Sequence, residues 1–319
     1  MGLAIGEYWR ESFYIIMKKL ILHVGWSKTG TSAIQDALST HFSTSKNKDV
    51  LYPSSCRWFD NAHHHFALAF TNNPVHKSKY EAETACRVMA DEINKSTAKT
   101  IIISTELSPL YFENPEFSKF LKMTGINNIE IVFTVREQGE LLVSMFNQLI
   151  KDSQVRCRRT IFETYIRLSS WMNYDLQIKR WEKYVAKEKV KVIPYSENIV
   201  ADFFSENQLE IDRAYKQSKQ VNSSLPNEIL EFARIKLLNI KDPLAYEVKL
   251  KSIVSDFRQG MFSPLGTELL SIMEIKAIYQ HYLASNNAVA RKYLASDCLF
   301  VKQDFNAIEN IGIDKDNEI

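Results

Sequence analysis

The stretch Gly25-Trp26-Ser27-Lys28-Thr29-Gly30-Thr31-Ser32 constrains this chain more than any other. It follows Lys19-Leu20-Ile21-Leu22-His23-Val24, an apolar run of strand length, and precedes Ala33-Ile34-Gln35-Asp36-Ala37-Leu38, which reads as a helix. A strand, a glycine loop and a helix N-terminus in succession make an anion cradle. The first N–H groups of a helix lack internal partners, and the helix dipole adds partial positive charge there. Glycine lets the backbone close on a tetrahedral anion.

The spacing sharpens this. Gly25 and Gly30 stand where the two glycines of a P-loop would, with Ser32 in the Ser/Thr place. Nucleotide kinases carry lysine directly after the second glycine. Here that position is Thr31, and the lysine is Lys28, inside the loop. The loop suits a phosphate-like group, but its cation approaches from another side.

The rest of the chain supplies a scaffold for such a loop. Thr100-Ile101-Ile102-Ile103-Ser104, the 129–135 segment and Val190-Lys191-Val192-Ile193-Pro194-Tyr195 read as further strands, and Val50-Leu51-Tyr52-Pro53 as a short extended piece. Helical patterns fall at 80–94, 138–151, 161–169 and 173–185, and after Ser196-Glu197. Strands that alternate with helices predict an α/β fold: an open, mostly parallel sheet flanked by helices, a P-loop NTPase-like three-layer sandwich. Ligands of such sheets sit beyond the carboxyl ends of the strands. From about residue 221 strands disappear, while 226–238 and 268–293 are helical; Asp242-Pro243 and Ser263-Pro264-Leu265-Gly266 break this region into pieces. The expected organisation is an extension over 1–16, an α/β core over 17–220, and a helical C-terminal part over 221–319 packed on the core, with a frayed tail from Asp314.

Composition excludes several classes. At 319 residues, 45% hydrophobic and 24% charged, the chain has the makeup of an ordinary globular protein. A net charge of +2 gives no global attraction to nucleic acid, so any anion preference must be local. Cys56, Cys86, Cys157 and Cys298 show no metal-binding spacing and read as reduced thiols. No apolar run approaches the roughly 18 residues of a membrane span. Glu7, Arg10 and Glu11 precede Phe13-Tyr14-Ile15-Ile16, the wrong order for a secretory signal. These features point to a cytoplasmic location.

A second constellation joins the loop. Arg136 ends a strand and Ser144 lies in the following helix. A guanidinium fork and a hydroxyl together suit a second phosphate. Lys28-Thr29-Gly30-Thr31-Ser32 resembles the 5′-phosphosulfate loop of the sulfotransferases, and the longer run from His23 to Gln35 is similar to bacterial members in particular. Arg136 with Ser144 resembles the 3′-phosphate motif of the same family. The likeness covers roughly residues 18–225 in scattered motifs, with a weaker one around Ser285-Asn286-Asn287. It implies 3′-phosphoadenosine-5′-phosphosulfate (PAPS) as donor, bound by Ser27, Lys28, Thr29, Gly30, Thr31, Ser32, Arg136 and Ser144, with Lys28 also catalytic. Strand ends carry Ser104, Arg136 and Tyr195 instead of an acidic magnesium ligand, so no metal is expected.

Transfer of a sulfuryl group also needs a base for the acceptor's proton. Glu106 falls just past the second long strand, and Thr105-Glu106-Leu107 occupies the place where relatives with a catalytic histidine carry Thr-His-Leu. The departure at Glu106 leaves His63-His64-His65 as the alternative, with His65 most resembling a histidine of bacterial relatives; adjacent residues rarely point at one metal ion. Val221-Asn222-Ser223-Ser224-Leu225 reads either as a helix cap or as a cofactor-lining stretch, and Arg156-Cys157-Arg158-Arg159 either as solvated surface or as an attraction for an acidic acceptor. Tyr52, Trp58, Phe59, Phe66 and Trp171 are candidates for stacking on sugars or for the core. The resemblance implies a carbohydrate, polysaccharide or glycolipid acceptor, with membrane contact only through that acceptor. Two rival readings are a P-loop kinase of a small metabolite using ATP and magnesium, and a non-catalytic binding module.

Overall fold

An unbroken apolar strand is stable only where both of its faces are covered, and this chain covers both. The computed structural model describes residues 18–42, 49–71, 76–107, 115–211, 215, 224–263 and 269–301. The expected N-terminal extension, residues 221–223 and the tail lie outside the described residues. The strands are β1 (Lys19–His23), β2 (Val50–Leu51), β3 (Thr100–Ser104), β4 (Asn128–Val135) and β5 (Val190–Pro194). They form one all-parallel sheet in the order β2-β3-β1-β4-β5. The short piece at Val50 is thus an edge strand rather than an isolated extended segment.

The helices are α1 (Thr31–Phe42), α2 (His64–Leu68), α3 (Ala82–Lys95), α4 (Pro115–Thr124), α5 (Gln138–Lys151), α6 (Ile161–Leu168), α7 (Tyr174–Trp181), α8 (Ile199–Glu206), α9 (Leu230–Leu237), α10 (Pro243–Arg258) and α11 (Ile272–Tyr293). Strand residues alternate between two cores. Ile21, Ile102, Val132 and Ile193 pack with Ile34, Leu38, Phe203 and Phe204 of α1 and α8. Leu20, Leu22, Ile101, Ile103, Ile131, Phe133 and Val192 pack on the other face, with side chains of α3, α4, α5 and α7. Each such aliphatic side chain, fully buried, contributes roughly 1.5–3 kcal/mol. The α/β expectation holds, and the sheet is wholly parallel. Among the described residues no helix is long and apolar enough to cross a membrane, and all four cysteines are unpaired thiols.

Three helices differ from the sequence reading. α4 has no counterpart in it, because its apolar pair Phe117 and Phe120 is too short a pattern to stand out. Asp242-Pro243 begins α10 instead of merely interrupting the region: the Asp242 carboxylate accepts from Ala245 N–H at 2.7 Å, and Pro243 occupies the first turn, where its missing donor costs nothing. α11 starts at Ile272, later than the pattern suggested, because Ser271 and Glu274 form a capping box.

The C-terminal helices hold the strand-end elements. Tyr246 of α10 donates to Ile150 O of α5 at 2.8 Å, and Tyr282 of α11 donates to Ser169 O at 2.9 Å. Asn286 of α11 and Gln138 at the start of α5 exchange two amide hydrogen bonds, 2.8 and 2.9 Å, both side chains being buried. This pair fixes the helix that follows Arg136. Gln138 Nε2 also donates to Met172 O at 3.3 Å, so Asn286→Leu leaves the Gln138 amide oxygen unsatisfied, and urea unfolding should show a loss of about 1–3 kcal/mol. An unchanged midpoint would show that the pair does not hold the helices together.

Candidate active site

The loop sits at the carboxyl end of the central strand β1, between β3 and β4. Val24 N–H donates to Val132 O at 2.9 Å and Trp26 N–H to Thr134 O at 3.1 Å, so strand pairing with β4 continues to Trp26. The Trp26 indole is fully buried among Phe133, Trp171 and Tyr174 and donates to Trp171 O at 3.1 Å. Beyond it the chain turns sharply: Lys28 has φ 68° and Gly30 φ 83°. Gly30 O accepts from Ala33 N and Ile34 N at 3.1 and 3.2 Å, which starts α1. Among the described residues, the N–H groups of residues 27–32 meet no carbonyl, the pattern of an anion nest. Gly30 is required twice over, since a Cβ there would also lie 2.6 Å from Ile199 Cγ2.

Beneath the loop runs a buried polar chain whose protons can be assigned. The Thr29 hydroxyl donates to Trp26 O at 2.5 Å. Its single proton is then used, so the Thr134 hydroxyl, 2.7 Å away, must donate to it. Thr134 Oγ1 in turn accepts from His23 Nε2 at 3.2 Å, and His23 Nδ1 accepts from the Ser104 hydroxyl at 2.8 Å. Ser104 Oγ accepts from Gln35 Nε2 at 3.2 Å, and the same amide nitrogen donates to Glu106 Oε2 at 3.0 Å. Gln35 Oε1 is buried and has no partner among the described residues. His23 is therefore a neutral Nε2–H tautomer, in keeping with burial that pushes its pKa down to about 3. Gly25 lies directly over this chain: a Cβ there would stand 2.6 Å from Thr134 Oγ1 and 2.9 Å from His23 Nε2.

Around the loop gathers a charged rim. Burial lowers the Lys28 pKa, Lys151 at the end of α5 and Arg136 lower it further, and Glu106 opposes them. Arg136 forms an ion pair with Glu140 at 2.9 Å, approaches Lys28 O at 3.5 Å and lies 4.8 Å over the Tyr195 ring. Its backbone is held by the Tyr174 hydroxyl, which donates to Arg136 O and accepts from Arg136 N–H at 3.2 Å. Ser144 is half-buried on α5, and no hydrogen bond ties it to Arg136.

The structure redistributes the histidines. His63 is buried and bonds Pro53 O at 2.9 Å, with burial pushing its pKa to about 4. His65 stacks on Trp58, ring centroids 4.7 Å apart, and its Nδ1 accepts from Lys79 N–H at 3.3 Å. His64 is the one beside Glu106: its Nε2 lies 3.6 Å from Glu106 Oε1 and 3.5 Å from Asp60 Oδ2, and its Nδ1 lies 2.8 Å from Thr105 Oγ1. Burial alone would lower the His64 pKa. The Asp60 hydrogen bond and the charges of Glu106 and Asp60 outweigh it, so the net shift is upward. The three imidazoles diverge because consecutive residues entering a helix face different ways.

Other expected contributors also change role. The Thr29 hydroxyl faces inward, and Thr31 is 3% exposed with Cγ2 packed against Gly25, which leaves their backbone N–H groups for an anion. Ser27 and Ser32 remain half-exposed. Tyr52 and Phe66 are core residues, Trp58 is engaged with His65, Trp171 packs on Trp26, and Phe59 is exposed. Lys151 and the buried His23, Thr134, Ser104 and Gln35 were not singled out as site groups from the sequence, and His64 was named only as a member of its cluster. For His23, Thr134 and Ser104, the available signal was a polar residue near the end of an apolar strand; Gln35, inside α1, carried none.

No family model matches the chain, and no curated protein does. The solved structure of a sulfotransferase from Alicyclobacillus acidocaldarius is similar at a TM-score of 0.43 and 16% identity, over 72% of this chain and 94% of that one.

The neutral histidines give the fold an acid sensitivity. Unfolded, each takes up a proton near 6.5; folded, His23 waits until about 3 and His63 until about 4. Across that window the unfolded state binds more protons, so stability falls as pH drops. Denaturant melts from pH 6.5 downward should show a decline of at most about 1.4 kcal/mol per pH unit for each group. His23→Gln should reduce that slope, and an identical slope in the variant would mean that His23 titrates normally in the fold.

Proposed function

We propose that this chain is a sulfotransferase that moves a sulfuryl group from PAPS to a hydroxyl or amine of a carbohydrate, polysaccharide or glycolipid acceptor. The observation that carries the reading is Lys28. It stands within a loop of unpartnered N–H groups, at φ 68°, with Arg136 approaching its carbonyl. An ammonium held within a nest for the 5′-phosphate would meet the oxygen that bridges phosphorus to sulfur. Negative charge grows on that oxygen as the S–O bond breaks, so Lys28 would bind the transition state more tightly than the ground state.

Each remaining group takes a part. The loop N–H groups and the Ser32 hydroxyl would hold the 5′-phosphate, and Arg136 with Ser144 the 3′-phosphate. Glu106 would take the proton of the acceptor as the acceptor oxygen or nitrogen bonds to sulfur. The S–O bond to the 5′-phosphate then breaks, and adenosine-3′,5′-bisphosphate leaves with that electron pair. Glu106 is held for this role from two sides, by Gln35 on Oε2 and by His64 near Oε1. The orphan Gln35 Oε1 is an acceptor that an incoming hydroxyl could satisfy. His65, stacked on Trp58, has no such position.

The test is transfer of radiolabelled sulfuryl from PAPS to a panel of glycans. Lys28→Ala should lose about 100-fold or more of the rate while retaining the wild-type melting temperature. Glu106→Gln should slow transfer by about 10²–10⁴-fold. Full activity in Lys28→Ala would remove Lys28 from the chemistry, and full activity in Glu106→Gln would reassign the base. The wild-type rate should also fall on the alkaline side before the ordinary lysine range, because the Lys28 pKa is lowered and transfer needs its protonated form. A rate that stays flat through that range would contradict the role given to the ammonium.

A further inference from the structure

At the C-terminal end of α5, away from the loop's own donors, lies a cavity of about 610 Å³ between the 155–159 segment and α6. Its floor includes Leu149, Cys157 and Leu168, and its walls carry Arg156, Arg158, Arg159 and Arg167. Among the described residues, the only acidic one in the lining is Glu163. That carboxylate is already engaged: Glu163 Oε2 accepts from Thr160 N–H at 2.8 Å and from the Thr160 hydroxyl at 3.2 Å as part of the α6 capping box. Among the described residues, none of the four guanidiniums forms an ion pair with a carboxylate.

The segment bearing these arginines is held in place. Cys157 N–H donates to Leu149 O at 3.4 Å, and Arg156 N–H donates to Asp152 O at 2.8 Å, folding the segment back on α5. Arg234 of α9, clamped on Glu231, donates to Arg158 O at 2.7 Å. Arg156 has φ 47°, a backbone conformation that costs energy unless its surroundings impose it. These hydrogen bonds fix the backbone, while Arg158, Arg159 and Arg167 are exposed; like charges gathered beside an apolar floor focus a positive field. Guanidiniums meet sulfate, phosphate and carboxylate through paired N–H donors.

We propose that this cavity is an oxyanion-binding subsite for a sulfate, phosphate or carboxylate already carried by the acceptor. The proposal rests on the transferase reading above, and α5 gives the connection. The helix ends in Lys151, whose charge reaches Lys28, and Leu149 of the same turn lines the cavity. An acceptor anchored here would lie beside the transfer site, and the acceptor class becomes an anionic chain in solution rather than a neutral sugar.

The experiment is equilibrium binding to the full chain, using a heparin-derived hexasaccharide, its desulfated uronate counterpart, inorganic phosphate, and phosphatidylglycerol or phosphatidylcholine vesicles. Wild type should bind at least one of the soluble anions, and the two oligosaccharides separate sulfate from carboxylate recognition. Arg158→Ala and Arg159→Ala should each weaken that binding by about tenfold or more, with adenosine-3′,5′-bisphosphate binding unchanged. Arg159→Lys should keep part of the affinity. Equal binding by wild type and both alanine variants, or binding confined to phosphatidylglycerol vesicles, would overturn the proposal. Concurrent loss of bisphosphate binding in the variants would also overturn it, because the arginines would then serve the nucleotide site or the fold. If wild type fails to bind the bisphosphate but keeps arginine-dependent anion binding, the transferase reading fails while the anion subsite stands.

Discussion

The buried hydrogen-bond chain from Trp26 O through Thr29, Thr134, His23, Ser104 and Gln35 to Glu106 is the interaction on which the site depends. It crosses the carboxyl ends of three neighbouring strands, β3, β1 and β4, and so ties the anion loop to the carboxylate opposite. Every proton in it has one consistent place only if His23 is neutral, and full burial keeps it neutral. Apart from Gln35 Oε1, its members are satisfied among the described residues; a buried polar network paired in this way favours one arrangement, and a broken one is costly. Gly25 belongs to the same device, because any side chain there would strike Thr134 and His23.

The rim above that chain follows an opposite logic. Lys28, Arg136 and Lys151 bring like charge together, and burial first, then the charges of Lys151 and Arg136, lower the pKa of Lys28. Glu106 offsets part of it, and Glu140 occupies Arg136. The chain below is thus hydrogen-bonded along its length, with Gln35 Oε1 left unpartnered among the described residues, while the rim above it gathers positive charge. A bound anion would offset that charge.

Much of this was legible in the sequence where the signal is local. The strand, loop and helix around Gly25 to Ser32 form one contiguous pattern, and the β-branched runs at 100–104 and 190–194 are strands wherever they pack. Glu106 could be placed because it directly follows a strand, and the rim of a parallel sheet is where strands end. What escaped depends on tertiary contact. Choosing His64 over His65 requires knowing which way α2 enters, and that is set by His63 anchoring to Pro53 and Ser104. Lys151 looks like any lysine closing a helix until α5 is seen to end near Lys28. Asn286, noted only as part of a faint likeness, proves to be the partner that fastens α11 to the start of α5.

The central claim is that the Lys28 loop and Arg136 form one site for a nucleotide with phosphates at both the 5′ and 3′ positions. Isothermal titration of the full chain with adenosine-3′,5′-bisphosphate, set against ATP with magnesium, tests it most directly. The account predicts heat and a one-to-one stoichiometry for the bisphosphate, weakened in Arg136→Ala, with ATP binding far more weakly. Tight binding of ATP with magnesium and none of the bisphosphate would contradict it.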